Sequence, residues 1–215
     1  MSEHEFEPTP GLPAPLPDGE RILWQGAPAW RALAVHALHA RKVAIYFALL
    51  AAWHVFDLMG GGAGLLAALR GATWLLILGV AASAVLTGLA WAMARTTMYT
   101  VTSARLVLRF GVALPISMSI PFTIVQSAGI VGHRDGSSDL PLRLNAGQHV
   151  GYFVTWPHVR PWHLLNAQPT LRCVPDGARV AAILGDALAT SVADVSMPDR
   201  PAPAPTGHPS LTAAA

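Results

Sequence analysis

At Arg95 the chain changes character within a few residues. Upstream, Ala72-Thr73-Trp74-Leu75-Leu76-Ile77-Leu78-Gly79-Val80 opens a stretch that runs to Ala94 without one formal charge. At about 23 residues it is long enough to cross a bilayer as a helix. Downstream, with almost no linker, Tyr99-Thr100-Val101-Thr102-Ser103-Ala104-Arg105-Leu106-Val107-Leu108-Arg109-Phe110-Gly111 reads as a strand hairpin. Few folds accommodate a lipid-soluble helix on one side of a single arginine and pleated strands on the other. The join reads as a membrane anchor welded to a small β-rich domain that works at the membrane surface, not as a free enzyme or a pore.

Composition agrees with that division. Hydrophobic residues make up 53% of the 215 and charged residues 12%, about half the share in ordinary soluble domains. Between Val43 and Ala94 only Asp57 and Arg70 are charged. The net charge of +2 comes without a basic run, so no nucleic-acid partner is expected. Lys42 is the only lysine, which argues against a polybasic lipid-binding tail. Cys173 is the only cysteine, which excludes an intrachain disulfide and a cysteine cluster for metal. The acidic, proline-rich start does not read as a cleavable signal peptide.

Residues 1–19 and 193–215 are polar and broken by proline, and read as disordered arms. Residues 20–42 form a pre-membrane segment: a short apolar patch, Gly19 to Pro28, then a helical pattern over Ala29–Lys42 that suits the membrane interface. Residues 43–94 read as a transmembrane hairpin. Its first span is Val43–Met59, its break Gly60-Gly61-Gly62-Ala63-Gly64, its second span Ala72–Ala94. Arg31, Arg41 and Lys42 precede the hairpin and Arg95, Arg105 and Arg109 follow it, whereas the connecting loop offers only Arg70. Positive charge inside places both termini and the β domain in the cytoplasm. The domain covers 97–192. Leu106, Leu108 and Phe110 point one way and Arg105, Val107 and Arg109 the other. Ile116–Ile120, Leu140–Leu144, Val150–Trp156 and Leu171–Val174 supply further strands. Asp176 is placed to cap a helix from Gly177 to about Ser191, with Val180, Ile183, Leu184, Ala187 and Leu188 as its apolar stripe.

The hairpin Tyr99 to Leu108, followed by Gly111 and by Ile120-Pro121-Phe122-Thr123-Ile124-Val125, resembles the bacterial pleckstrin-homology-like domain of membrane-anchored proteins. Glu20-Arg21-Ile22-Leu23-Trp24-Gln25-Gly26 resembles the segment that precedes the membrane helices there. Over its whole length the chain is similar to the PuhB family of photosynthetic complex assembly proteins. Leu23-Trp24-Gln25-Gly26-Ala27-Pro28, Thr155-Trp156-Pro157-His158-Val159-Arg160-Pro161-Trp162 and the Pro175-to-Leu188 helix carry that similarity. The resemblance implies an α+β membrane protein: a two-helix transmembrane hairpin, then a β-rich pleckstrin-homology-like domain closed by a C-terminal helix. It implies an assembly factor of purple bacteria with reaction-centre and light-harvesting subunits as partners, and room for a homodimer.

The residues offer few chemical sites. His54 and Asp57 share a face of the first span, where ionisable groups are functional candidates. His54 is a candidate ligand for the magnesium of bacteriochlorophyll. Light-harvesting helices place Ala four residues before such a His, and here that position is Leu50. The plainer reading has Asp57 near the headgroups and His54 one turn inside, partly hydrated. Gly79, Ser83 and Thr87 form a small-residue ridge along the second span, suited to packing the two helices together or to docking a partner helix. Trp156, His158, Arg160 and Trp162 gather the residue types that dominate protein interfaces, or else fill the core beside the closing helix. Arg105 and Arg109 read as a solvated strand face. No paired carboxylates, HExxH or phosphate loop is present, so no catalytic residue, metal or cofactor is expected, and the chain reads as a scaffold rather than an enzyme. The runner-up is a module that delivers bacteriochlorophyll or lipid to the complex.

Overall fold

The computed structural model describes residues 12, 14–112, 114–145, 151, 155–159 and 168–196. Strand β1 (Ile22–Gly26) comes first, then a short helix α1 (Trp30–Ala32) that loosens into a π-type turn, Leu33–Ala37. Two long helices follow, α2 (Ala40–Gly60) and α3 (Leu65–Thr96). The chain then turns to strands: β2 (Met98–Thr102), β3 (Arg105–Phe110), β4 (Ile116–Pro121), β5 (Val125–Ala128), β6 (Val131–Gly132), β7 (Ser138–Leu144) and β8 (Thr170–Val174). Helix α4 (Gly177–Ser196) closes the order.

The strands form two antiparallel sheets, one ordered β1-β2-β3-β4, the other with β7 paired to β5, β6 and β8. Tyr99, Val101, Leu106, Leu108, Phe110 and Ile120 from the first sheet meet Leu140, Leu142, Leu171 and Val174 from the second. Val180, Leu184 and Ala187 of α4 bury their stripe against the same core, as period 3.6 requires of a helix that covers a sheet. Alternation holds on β3 with one exception: Val107 is buried as well as its neighbours. It pairs with buried Thr100, over which Gln25 of β1 lays its side-chain amide, 3.0 Å from Thr100 Oγ1.

Several boundaries differ from the sequence reading, each for a local reason. The pre-membrane patch is a strand, because Ile22–Gly26 finds Tyr99–Thr102 as a partner. The β domain therefore does not begin after the helices: the helical pair is inserted between two neighbouring strands. The pattern over Ala29–Lys42 is not one helix, since His39 takes a left-handed conformation (φ 56°) and α2 starts afresh at Ala40. Leu65–Leu69 joins α3 rather than a loop. The strand expected over Val150–Trp156 fails at its described ends, where Thr155 N–H donates to Gly151 O, a helical bond. Helix α4 runs five residues past its expected end. Of the expected arms, residues 12, 14–19 and 193–196 are described, the last four as the end of α4, and the rest lie outside the described residues.

Helices α2 and α3 are each long and apolar enough to cross a membrane. They leave large apolar side chains uncovered on all sides, among them Leu49, Trp53, Phe56, Leu66, Trp74 and Val80. What they do bury is small: Ala51 on α2 and Ala68, Ala72, Gly79, Ala90 and Ala94 on α3. Small residues let the two backbones approach closely. At Gly79 a Cβ would fall 2.6 Å from Phe47 Cβ, and at Gly71 2.8 Å from His54 Nε2. Nothing lies within 4 Å of such an atom at Gly88. Gly79→Leu should thus lower the thermal midpoint in detergent by roughly 3–10 °C, the range for overpacking a tight contact. Gly88→Leu should leave it within about 1–2 °C. Equal shifts in the two variants would contradict this seam.

Candidate functional site

The chain passes from α3 to β2 through one residue, Thr97, and polar groups from five segments converge beside it. Thr97 is buried, and its Oγ1 lies 3.2 Å from His158 Nε2. The other ring nitrogen, Nδ1, is 2.7 Å from Tyr99 Oη, which also accepts the Arg172 backbone N–H at 3.2 Å. Either neutral tautomer of His158 serves both contacts, one ring nitrogen donating and the other accepting. Burial holds this ring neutral, with a pKa lowered to about 3, and the Arg172 charge acts in the same direction. Burial also raises the Tyr99 pKa far above its usual value.

Arg172 is the second centre. Its guanidinium is almost wholly buried: Nε lies 3.0 Å from Asp139 Oδ2, Nη1 reaches Val159 O and Nη2 reaches His36 O, both at 3.4 Å. Asp139 sits where the β7–β8 register slips between Ser138 and Leu140. It stays paired with Val131 of β6, and on the β8 side its Oδ1 accepts the Cys173 N–H at 2.7 Å and stands 3.3 Å from His133 Nε2. A bulge re-aims a side chain in this way. His36, from the turn after α1, stacks on His133 with ring centroids 3.9 Å apart and holds Asp135 Oδ2 at 3.0 Å. The Ser137 hydroxyl and amide on Asp135 Oδ1, with His36 adding to them, hold that carboxyl down at about 2. Cys173 is buried against Leu33 and Ala90, and burial pushes its thiol up to about 12, with the Asp139 charge adding to the shift.

These contacts fix the β domain onto the helices. Ala29 N–H donates to Cys173 O at 2.9 Å, and Leu33 packs between Ala90 of α3 and Cys173 of β8. Farther along, Glu20 takes Arg105 in a two-pronged pair, Nε at 2.9 Å and Nη2 at 2.6 Å. That bond lowers the Glu20 pKa and raises that of Arg105. Arg105 is therefore tied to the segment ahead of β1 rather than lying on an open basic face.

The sequence candidates scatter around this join. His158 is not a surface residue. It is 2% exposed and spent on Thr97 and Tyr99, which corrects its place among the partner-facing groups. Trp156, two residues earlier, is 47% exposed. Arg160 and Trp162 lie outside the described residues. Gly79 and Ser83 line a groove between the helices with Ala44, Phe47, Ala48 and Leu76, so this part of the ridge faces α2. Thr87 turns its hydroxyl back to Ser83 O at 2.7 Å. His54 is half-buried with its Nε2 turned to Gly71 of α3, and it lies far along the hairpin from the polar join. His36, His133, Asp139 and Arg172 went unremarked in the sequence as site residues, because nothing in their spacing brings them together.

Against known proteins, the bacterial PH domain family matches residues 43–188. The chain belongs to that family. It is also 38% identical over 190 residues to a protein of Rhodobacter capsulatus described as an uncharacterized 23.7 kDa protein in the puhA 5′ region. The match covers 87% of this chain and 89% of that one. No solved structure matches significantly. The family match begins inside α2 and leaves out β1, which the structure nevertheless pairs into the domain's first sheet.

His158 gives the join a pH dependence with a definite sign. Unfolded, the ring takes a proton near 6.5; folded, not until about 3. Stability is therefore full above 6.5 and falls as the pH drops through that window, by up to about 1.4 kcal/mol per pH unit. The thermal midpoint should fall between pH 6.5 and 4, and His158→Gln should flatten that slope by one proton's worth. Parallel slopes for the two proteins would rule out His158 as the source.

Proposed function

We propose that this protein is a bacterial inner-membrane assembly factor, a scaffold for the photosynthetic reaction centre and its light-harvesting ring. The observation that carries the reading is the pairing of an uncovered apolar hairpin with a domain that has no linker to move on. In water, the exposed belt of α2 and α3 would be a far larger apolar patch than soluble proteins leave open, so we place both helices across the bilayer. Helix α3 has 32 residues, about 48 Å at 1.5 Å per residue, against a hydrocarbon core of about 30 Å. Its last turns, from about Ala90, stand clear of the lipid and pack against α1 and β8. Trp91 near that end stacks under Arg95, 5.1 Å from ring to guanidinium, a pairing suited to the headgroup level. The excess of arginine at this end puts the domain in the cytoplasm.

A domain held so close reaches only partners in or against the same membrane. The partners are proposed from the relative in the puhA 5′ region and from the resemblance to PuhB-type proteins. Scaffolding is favoured over chemistry because His158 at the join is neutral and enclosed. It is favoured over pigment delivery because His54 Nε2 turns into the helix seam. Exposed Trp156 is the contact we assign to the client.

Deleting the gene from a phototrophic host should lower the reaction-centre absorbance of its membranes several-fold, and the intact gene should restore it. Trp156→Ala, 47% exposed in the wild type, should weaken photo-crosslinking to reaction-centre subunits while the protein level stays unchanged. Normal reaction-centre content in the deletion strain would sink the assembly reading.

A further inference from the structure

The polar join also brings three potential ligand atoms to face one another. His133 Nε2, Asp139 Oδ1 and Cys173 Sγ all lie within 4.8 Å of one another. They come from three places: the residue after β6, the β7 bulge and strand β8. His133 Nε2 is shut away from solvent, yet its 3.3 Å approach to Asp139 Oδ1 lacks hydrogen-bond alignment. Arg172 Nε is in the same position, so two buried nitrogens face Asp139 without an aligned hydrogen bond. Cys173 adopts a left-handed backbone (φ 51°) in the middle of a strand, a conformation that disfavours any residue with a Cβ.

We propose that His133, Asp139 and Cys173 bind a zinc-type divalent cation that brings one water in with it as the fourth ligand. One imidazole, one carboxylate and one thiol are the mixed donor set of borderline ions such as zinc, and too soft for magnesium or calcium. Tetrahedral zinc with bonds of about 2.0–2.3 Å needs donors about 3.3–3.8 Å apart. The His133–Asp139 distance already meets that, and the thiol has at most about an ångström to move. Binding replaces the thiol proton, which leaves to solvent.

The surroundings do what outer groups do at metal sites. Arg172 engages Asp139 through Oδ2 and leaves Oδ1 turned to His133. Cys173 N–H fixes the same Oδ1 from the other side. His36 covers the His133 ring face to face. A cation here would lock the corner of β6, β7 and β8 against the turn after α1, and so set the angle of the domain on the helices. This site stands independently of the assembly reading.

The test uses the full-length protein, without a histidine tag, in detergent, stripped with EDTA and titrated with cobalt(II) and then zinc. Cobalt should bind at one equivalent with intense visible bands of tetrahedral geometry and a near-ultraviolet thiolate charge-transfer band, and zinc should displace it. Because Cys173 is the only cysteine, the charge-transfer band identifies its own ligand before any variant is made. Cys173→Ser should abolish that band, and His133→Gln should weaken cobalt affinity by at least about tenfold, both with unchanged far-ultraviolet circular dichroism. A saturated wild type showing only the weak bands of six-coordinate cobalt, or no binding at all, overturns the site. So does His133→Gln with wild-type affinity.

Discussion

A single buried cation, Arg172, holds together segments that the sequence keeps far apart. A charge this enclosed persists only if it is paired on several sides. It finds Asp139 on β7, the Val159 carbonyl beside the Pro157 turn and the His36 carbonyl beyond α1. Its own backbone N–H supports Tyr99, which supports His158, which supports Thr97 at the end of α3. Loss of one partner of such a buried pair typically costs about 3–5 kcal/mol. Here the loss would also break the polar path that runs from the sheet to the helix end. The orientation of the domain on the hairpin thus rests on a charge, not on apolar burial alone.

That choice has a physical reason. The apolar contact at the join is small: Leu33, Ala90 and Cys173, with Leu38, Met93 and a few alanines around them. Small residues allow close approach but bury little area, and buried apolar area sets the strength of that attraction. Directional bonds supply what area does not, since hydrogen bonds and ion pairs fix an angle whereas greasy contact slides. The same logic recurs at Glu20 and Arg105, where a two-pronged pair anchors the segment before β1.

Much of this was legible beforehand, and what was missed has a pattern. Local periodicity was enough for α2, α3, β3 and the buried stripe of α4, because each is decided by residues within one or two turns. It failed at Ile22–Gly26, whose strand state depends on a partner some 75 residues later, and at Ala29–Lys42, where His39 breaks a regular apolar spacing. His158 was noticed for its aromatic, cationic company, yet its role follows from Thr97 and Tyr99, about 60 positions away. The His133, Asp139 and Cys173 group was invisible for the same reason. Only the slipped β7–β8 register brings those side chains into one place, and a scan for regular ligand spacing does not see a bulge.

The insertion of the helical pair between β1 and β2 carries an argument that charge counting alone does not. Gly26 pairs with Tyr99 and Gln25 with Thr100, so the chain leaves the sheet and returns to it at neighbouring positions. Whatever lies between must start and finish on one side of any membrane it enters. With the hairpin in the bilayer, the number of crossings is even and both its ends face the same compartment, whichever compartment that is. Strand pairing forces this closed loop. A lone spanning helix could not satisfy the β1–β2 ladder, and a third would tear it open. The sheet therefore acts as a clasp on the hairpin, and the polar join beside Thr97 sets the angle at which the clasp is held.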